Sequence, residues 1–305
     1  MLGSQWVHTD AHQPLACPFS IDIPPSPPFL YPMQIIDLTE NYSRDFIQGG
    51  DRQAYENSFP ELFEHYYHYW TKRELAIARV NNEDINTRKA WIKKLIEKLK
   101  PALAEHGLDM DSPVLVYFIG VGTTNGHAFR HNDKLYVWLP LETYTSQKLV
   151  DIFVTHEIAH ALHYQHSPEF YTDDIDDKLQ TGRQLITEGL ATYATQKLLG
   201  VPSLKALWAD YLSEDDARKW LQTCEAERRD LYRLIADNYC LSNPDIKIFY
   251  ADNPENIYEY RSGYYAGLKL IEKYAEITGL SLKDLLKLTR PGFDNDILDL
   301  LRSEI

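Results

Sequence analysis

V-D-I-F-V-T-H-E-I-A-H-A-L-H-Y, residues 150–164, combines helical spacing of apolar residues with His156 and His160 placed four apart. Four helical residues advance about 400°, leaving the two imidazoles about 40° apart and about 6 Å along the axis, so both can bind one ion from the same side. Glu157 sits about 100° further round, where a carboxylate reaches a metal-bound water without being a ligand. Composition alone would produce His-acid-x-x-His roughly 0.06 times in a chain of this make-up. The uncharged flanks Phe153, Val154, Ile158, Ala159, Ala161 and Leu162 suit a buried metal-bearing helix. The competing reading is two histidines on an ordinary helix face, with Glu157 a surface carboxylate.

A catalytic zinc takes three protein ligands and keeps a fourth position open for water. Two residues compete for third ligand. His166 follows His160 by six, a spacing that needs a glycine to bend the chain off the helix; His163 stands at that position, and Met1, Met33 and Met110 all lie upstream, so no methionine turn can follow. Glu188, in L-I-T-E-G-L-A-T-Y-A on the next predicted helix, can return to the metal after a polar reversal. Glu188 is the preferred third ligand.

Outward from this stretch, amphipathic helices are predicted over 59–80 and 87–107, then strands over 114–119 and 134–139 separated by the turn-like G-V-G-T-T-N-G of 120–126. Helical spacing returns over 146–166, 182–199, 203–238, 258–278 and 281–289. The expected class is therefore α+β: a small β-sheet followed by a mostly helical second half, not alternating βαβ units. Residues 1–32 hold seven of the 16 prolines and read as an extended N-terminal arm. Residues 33–305 read as one catalytic unit, with helices and the small sheet over 33–145 and the helical part bearing the zinc ligands over 146–305.

The 305 residues carry 31 Lys and Arg against 45 Asp and Glu, a net charge of −14, which argues against a nucleic-acid-binding surface. No apolar run approaches the roughly 20 residues of a membrane span. The N-terminus has neither the basic segment nor the apolar stretch of a secretory signal, and Cys17, Cys224 and Cys240 show no disulfide or zinc spacing, so the cytoplasm is the expected location. His163, one turn along the ligand face, is either a group near the metal or a buried core histidine. The acidic stretch 169–177 reads as a solvated loop, the alternatives being a cleft wall that favours basic peptides or a Ca2+ site without EF-hand spacing, and the mixed charges of 213–230 read as an exposed helix face.

H-E-I-A-H with a downstream I-T-E-G-L-A-T-Y-A resembles the gluzincin zinc metallopeptidases, in which the third ligand is a glutamate on an E-G-x-A-like helix. Within that group the chain is most similar to predicted Zn-dependent proteases grouped as a domain of unknown function, which also carry a late G-Y-Y-x-G element, here R-S-G-Y-Y-A-G at 261–267. The similarity covers about 114–275. The G-x-M-E-N motif of the neutral aminopeptidases is missing, as is a clear acidic partner after Glu188, so exopeptidase activity is not implied.

The resemblance implies a zincin-like core, one Zn2+ per chain held by His156, His160 and Glu188, and hydrolysis of a peptide or protein substrate with Glu157 as general base. It implies an edge strand at T-N-G-H-A-F (124–129) that pairs with substrate backbone, making Asn125, Gly126 and Ala128 substrate-binding residues. It also implies a tyrosine donor to the developing oxyanion, for which Tyr264 is preferred over Tyr265, with His127, His163 and Tyr193 next in line. The alternative function is a catalytically silent, zinc-stabilised peptide-binding or scaffolding module. Against it, Glu157 would be superfluous at a purely structural zinc, which takes four protein ligands.

Overall fold

A computed structural model describes residues 33–110, 113–242 and 245–305; the Pro-rich arm expected over 1–32, with Cys17, lies outside the described residues. Four strands form one sheet: β1 (Ile35–Asp37), β2 (Val114–Phe118), β3 (His127–His131) and β4 (Lys134–Pro140). Their order is β1-β2-β4-β3, with β1, β2 and β4 parallel and β3 antiparallel to β4. V-L-V-Y-F of β2 is buried along its whole length, as a strand covered on both faces requires. Asn132 and Asp133, at φ 47° and 60°, form the two-residue turn between β3 and β4. Positive φ at both positions matches the right-handed twist of the strands it joins. This turn sets Ala128 opposite Val137 and His127 opposite Trp138, and leaves β3 at the edge of the sheet.

The principal helices are α1 (Pro60–Tyr69), α2 (Asn82–Glu105), α3 (Thr155–His166), α4 (Thr181–Leu199), α5 (Glu214–Ala226), α6 (Arg228–Asn238), α7 (Ser262–Thr278) and α8 (Arg290–Ser303). The architecture is α+β, a small mixed sheet followed by a mostly helical second half, as the order of sequence patterns implied. Among the described residues no helix is long and apolar enough to cross a membrane.

The helix expected over 59–80 stops at Tyr69. Beyond it the backbone is captured by distant groups: Ala78 N–H donates to the Gly120 carbonyl at 2.8 Å, and the Tyr42 hydroxyl both donates to the Ala78 carbonyl and accepts from Val80 N–H, each at 2.9 Å. α2 starts five residues earlier than its apolar spacing suggests, because the Asn81 side chain caps it by accepting from Asp84 N–H at 2.8 Å. The helix expected over 203–238 is three pieces, interrupted at Ala209, whose φ is 50°, and restarted where the Ser213 side chain caps α5. α8 was not anticipated, because Pro291 and Gly292 look like a break. Pro291 falls in the first turn, where no backbone donor is needed.

The lead into α3 is also irregular. A short helical turn over Gln147–Leu149, capped by Ser146, passes into a π-helical turn over Val150–Val154 and then into α3. Within α3 every residue from Thr155 to Tyr164 is buried. α4 is buried on nearly every side, and its small residues let α7 lie against it unusually closely. A Cβ on Gly189 would stand 2.4 Å from the Gly267 carbonyl carbon, and one on Gly267 would stand 2.4 Å from the Leu185 carbonyl oxygen. Side chains at either position would hold the two helices apart.

Candidate metal centre

α3 and α4 bring three donors together. His156 Nε2 lies 3.1 Å from His160 Nε2 and 3.0 Å from Glu188 Oε2, and His160 Nε2 lies 3.4 Å from the same carboxylate oxygen. Ligand atoms bound about 2.0–2.2 Å from a tetrahedral zinc stand roughly 3.3 Å apart, so the three donors already have the separations of one face of such a site. Among the described residues this is the group of His, Cys, Asp or Glu side chains arranged to hold a metal. Burial drives the His156 pKa down to about 4, favouring the neutral imidazole a metal needs. At His160 burial acts in the same direction, but the Glu188 charge and hydrogen bond outweigh it and hold the proton more tightly. Glu188, half-buried with its side chain 21% exposed, is held well below the usual carboxylate range by the two imidazoles.

Glu157 projects from the next position of α3 against the edge strand. Burial raises its pKa to about 7, and the Ala128 backbone N–H, hydrogen-bonded to the carboxylate, opposes this. Its Oε2 is buried with no hydrogen-bond partner. Gly126 makes the close approach possible: a Cβ there would lie 2.9 Å from Glu157 Cγ and 3.2 Å from the Trp138 carbonyl oxygen, and its φ is +141°. Asn125, Gly126 and Ala128 all line the cleft. The Asn125 carbonyl accepts from the Tyr144 hydroxyl and its side-chain oxygen from the Tyr211 hydroxyl, which fixes the entry to β3.

The two adjacent tyrosines part company. Tyr264 lines the cleft with its ring 6.1 Å from that of His156, and burial together with the nearby Glu188 charge keeps its hydroxyl protonated. Tyr265 turns the other way and is fully buried 6.3 Å from the Trp220 ring, so the geometry does not bring it to the cluster. The reason is the 100° step along α7, whose Gly267 face is pressed onto α4. His166 lies at the end of α3, outside the cleft, with Lys287, Asp109 and Lys283 the charges that act on it. His163 is 1% exposed and packs against Phe170 at 4.5 Å, a core histidine rather than a group at the metal. Tyr193 faces Lys197, also outside the cleft. His127 does line it, stacked on His65 and tilted by 50° against Trp70.

The cluster forms the floor of a cleft of about 610 Å³. Sequence reasoning missed Tyr69, Trp70, Lys178, Arg183, Phe249 and Arg261 in its walls. Trp70, Phe249 and Arg261 come from loops and turns, and Tyr69 and Lys178 end short helices, where spacing gives no local signal. Gln184, one turn before Glu188, could have been found by spacing, and Arg261 by its place in the quoted R-S-G-Y-Y-A-G element. The acidic stretch 169–177 contributes no carboxylate to the cleft wall, in keeping with a solvated loop. The charged 213–230 segment is an exposed face, with surface pairs such as Arg218 to Glu214.

Fold and site together define an α+β protein in which three side chains that could hold a metal ion and a buried glutamate meet at the bottom of a cleft. The chain belongs to the family described as predicted Zn-dependent protease (DUF2268), whose model matches residues 119–293 and so spans the strand edge, all three donors and Tyr264. No curated protein matches the chain.

Proposed function

We propose that this protein hydrolyses peptide bonds, with one zinc ion per chain held by His156, His160 and Glu188 and with Glu157 as general base. The observation that carries this reading is the setting of Glu157: a buried carboxylate held by Ala128 N–H, with an unpartnered Oε2, beside the donor triad. A structural zinc has no use for such a group.

Zinc, when bound, would polarise the scissile carbonyl and make an attacking water more acidic. Glu157 takes the proton of that water at Oε2 and returns it to the leaving amine, a task suited to a group titrating near neutrality. The Tyr264 hydroxyl, kept protonated by its surroundings, donates to the developing oxyanion. Strand β3 stands at the sheet edge beside the cleft, led in by Asn125 and Gly126, and an extended peptide lies along it through groups other than the Ala128 and Arg130 N–H, which Glu157 and the Tyr171 hydroxyl already hold. Residues 33–305 act as one catalytic unit, since the cleft draws its walls from both sides of residue 145. The cytoplasm is the proposed location.

The test pairs metal analysis with cleavage of a broad peptide library. Parent protein should bind zinc stoichiometrically and cleave; Glu157→Gln should keep the zinc and lose cleavage; Glu188→Ala should lose the zinc. A zinc-replete parent that cleaves nothing, with partner binding that survives chelation, would favour the silent binding module.

A further inference from the structure

Apart from Glu157 and Glu188, the formally charged side chains lining the cleft are all cationic: Lys178, Arg183 and Arg261. This is unexpected in a chain of net charge −14. Arg261 is held between rings, its guanidinium 4.2 Å from the centre of the Tyr264 ring and 5.2 Å from that of Trp208, with its Nε buried and unpartnered. Lys178 and Arg183 also line the cleft, and the Arg183 guanidinium lies 6.0 Å from the centre of the Tyr164 ring, which stacks on His160 at 5.8 Å. Arg183 acts electrostatically on His160, and Lys178 on His127 of the edge strand.

The Lys178 ammonium lies 3.6 Å over the Tyr69 ring, buried and without a hydrogen-bond acceptor. Its nearest carboxylate, on the exposed Asp173, is 4.0 Å away and accepts instead from the Tyr171 hydroxyl at 2.8 Å. Arg183 is 6% exposed; one nitrogen donates to the Phe170 carbonyl while Nε is unpartnered. Asp177, 4.0 Å from that Nε, is bound by Arg290 at 2.6 and 2.9 Å. Asp174 is spent capping the turn at Ile175, where it accepts from Asp176 and Asp177 N–H. The acidic stretch beside the cleft therefore leaves two partly buried cations short of anionic partners. A buried ammonium without an acceptor is costly, and a ligand carboxylate would relieve that cost.

We infer that the His160 side of the cleft is a carboxylate subsite, in which Lys178, backed by Arg183, selects peptides bearing an acidic side chain or a free C-terminal carboxylate next to the bond at the metal. The inference rests on the proposed peptide substrate and adds the charge that substrate carries. Burial lowers the Lys178 pKa to about 8, so the ammonium is still charged at neutral pH.

The test measures binding to the zinc-loaded full chain carrying Glu157→Gln, so that no probe is consumed. One probe set is N-acetylated, C-terminally amidated peptides with Glu or Gln scanned through each position. A second set has neutral side chains and ends in a free carboxylate or an amide. One acidic position, or the free C-terminus, should bind roughly 10- to 100-fold tighter than its neutral counterpart, less so at high salt. Which set shows the ratio identifies the source of the carboxylate. Lys178→Met should collapse the ratio, Lys178→Arg should retain most of it, and Lys178→Glu should invert it. Ratios below roughly threefold throughout, absence of any binding, or a ratio that survives Lys178→Met overturns the subsite. Cleavage by the parent is scored separately. A parent that cleaves with no acidic preference sinks the subsite and leaves hydrolysis standing, whereas acidic probes bound but never cleaved would do the reverse.

Discussion

Replacing Gly189 by alanine adds one methyl group at the crossing of α4 and α7. Its Cβ would lie 2.4 Å from the Gly267 carbonyl carbon, 2.6 Å from the oxygen and 2.7 Å from Cα. Non-bonded carbons rest about 3.5–4.0 Å apart, so the helices must separate by roughly 1 Å or one must roll. Backbone cannot move aside as a side-chain tip can, which puts the cost at the upper end of overpacking, about 2–3 kcal/mol, or on the order of 5 °C in Tm. Glu188 precedes the substituted residue and Tyr264 lies one turn before Gly267, so the shift falls on a metal donor as well as on the packing. Zinc affinity, measured by chelator competition, should drop about 10- to 100-fold. Gly292→Ala is the control, because its nearest neighbour, Thr289 Oγ1, would be 3.8 Å away and nothing need move. Unchanged Tm and unchanged zinc affinity in Gly189→Ala would refute the claim that this crossing places Glu188.

Tyr264→Phe should lower kcat by roughly 10²–10³ with zinc content intact, whereas Tyr265→Phe, in the Trp220 contact, should act on Tm first; steady-state kinetics and thermal melts separate them. Glu142, whose Oε1 accepts from Gly122 N–H at 3.0 Å, has its pKa raised to about 7 by burial. The folded state therefore holds a proton that the unfolded chain loses near pH 4.5, so this group's contribution is present at low pH and fades as pH rises toward 7. Relative to the parent, Glu142→Gln should gain stability between pH 5 and pH 8, on the order of 3 kcal/mol, in paired denaturant titrations. Tm should rise with free zinc, by about 1.4 kcal/mol of stability per tenfold excess over Kd, and the rise should vanish in His160→Ala.

The parts of the site that were legible are those where chemistry and spacing coincide on one element. His156, Glu157 and His160 share one helix, and Glu188 lies inside the next long helical pattern, so local periodicity puts all four on two helices. Tyr264 and Tyr265 could not be told apart, because their difference arises from which face of α7 meets Gly189, a fact about another helix. Lys178 was hidden by its neighbours: four aspartates within 173–177 describe an acidic segment, and only the capping by Asp174 and the Arg290 pairing of Asp177 leave a cation facing inward. The extra length given to the first helix has the same origin. Leu75, Ile77 and Ala78 continue a helical rhythm, but Tyr42 and Gly120 supply the hydrogen bonds that pull the backbone straight.

The turn at Asn132 and Asp133 lies at the far end of β3 from the metal, on the kind of hairpin tip where inserted residues are ordinarily accepted. Here its length is coupled to reactivity. Because side chains and amides alternate along a strand, moving β3 by one residue against β4 would turn the Ala128 N–H away from Glu157 and put the glycine gap at 126 out of line with the carboxylate. A longer tip that kept His131 opposite Lys134 would be silent, while a deletion that slipped the pairing by one would take the Ala128 N–H from Glu157 without replacing any residue of the cleft. Tolerance to insertion and deletion along this hairpin should thus follow strand parity rather than distance from the metal.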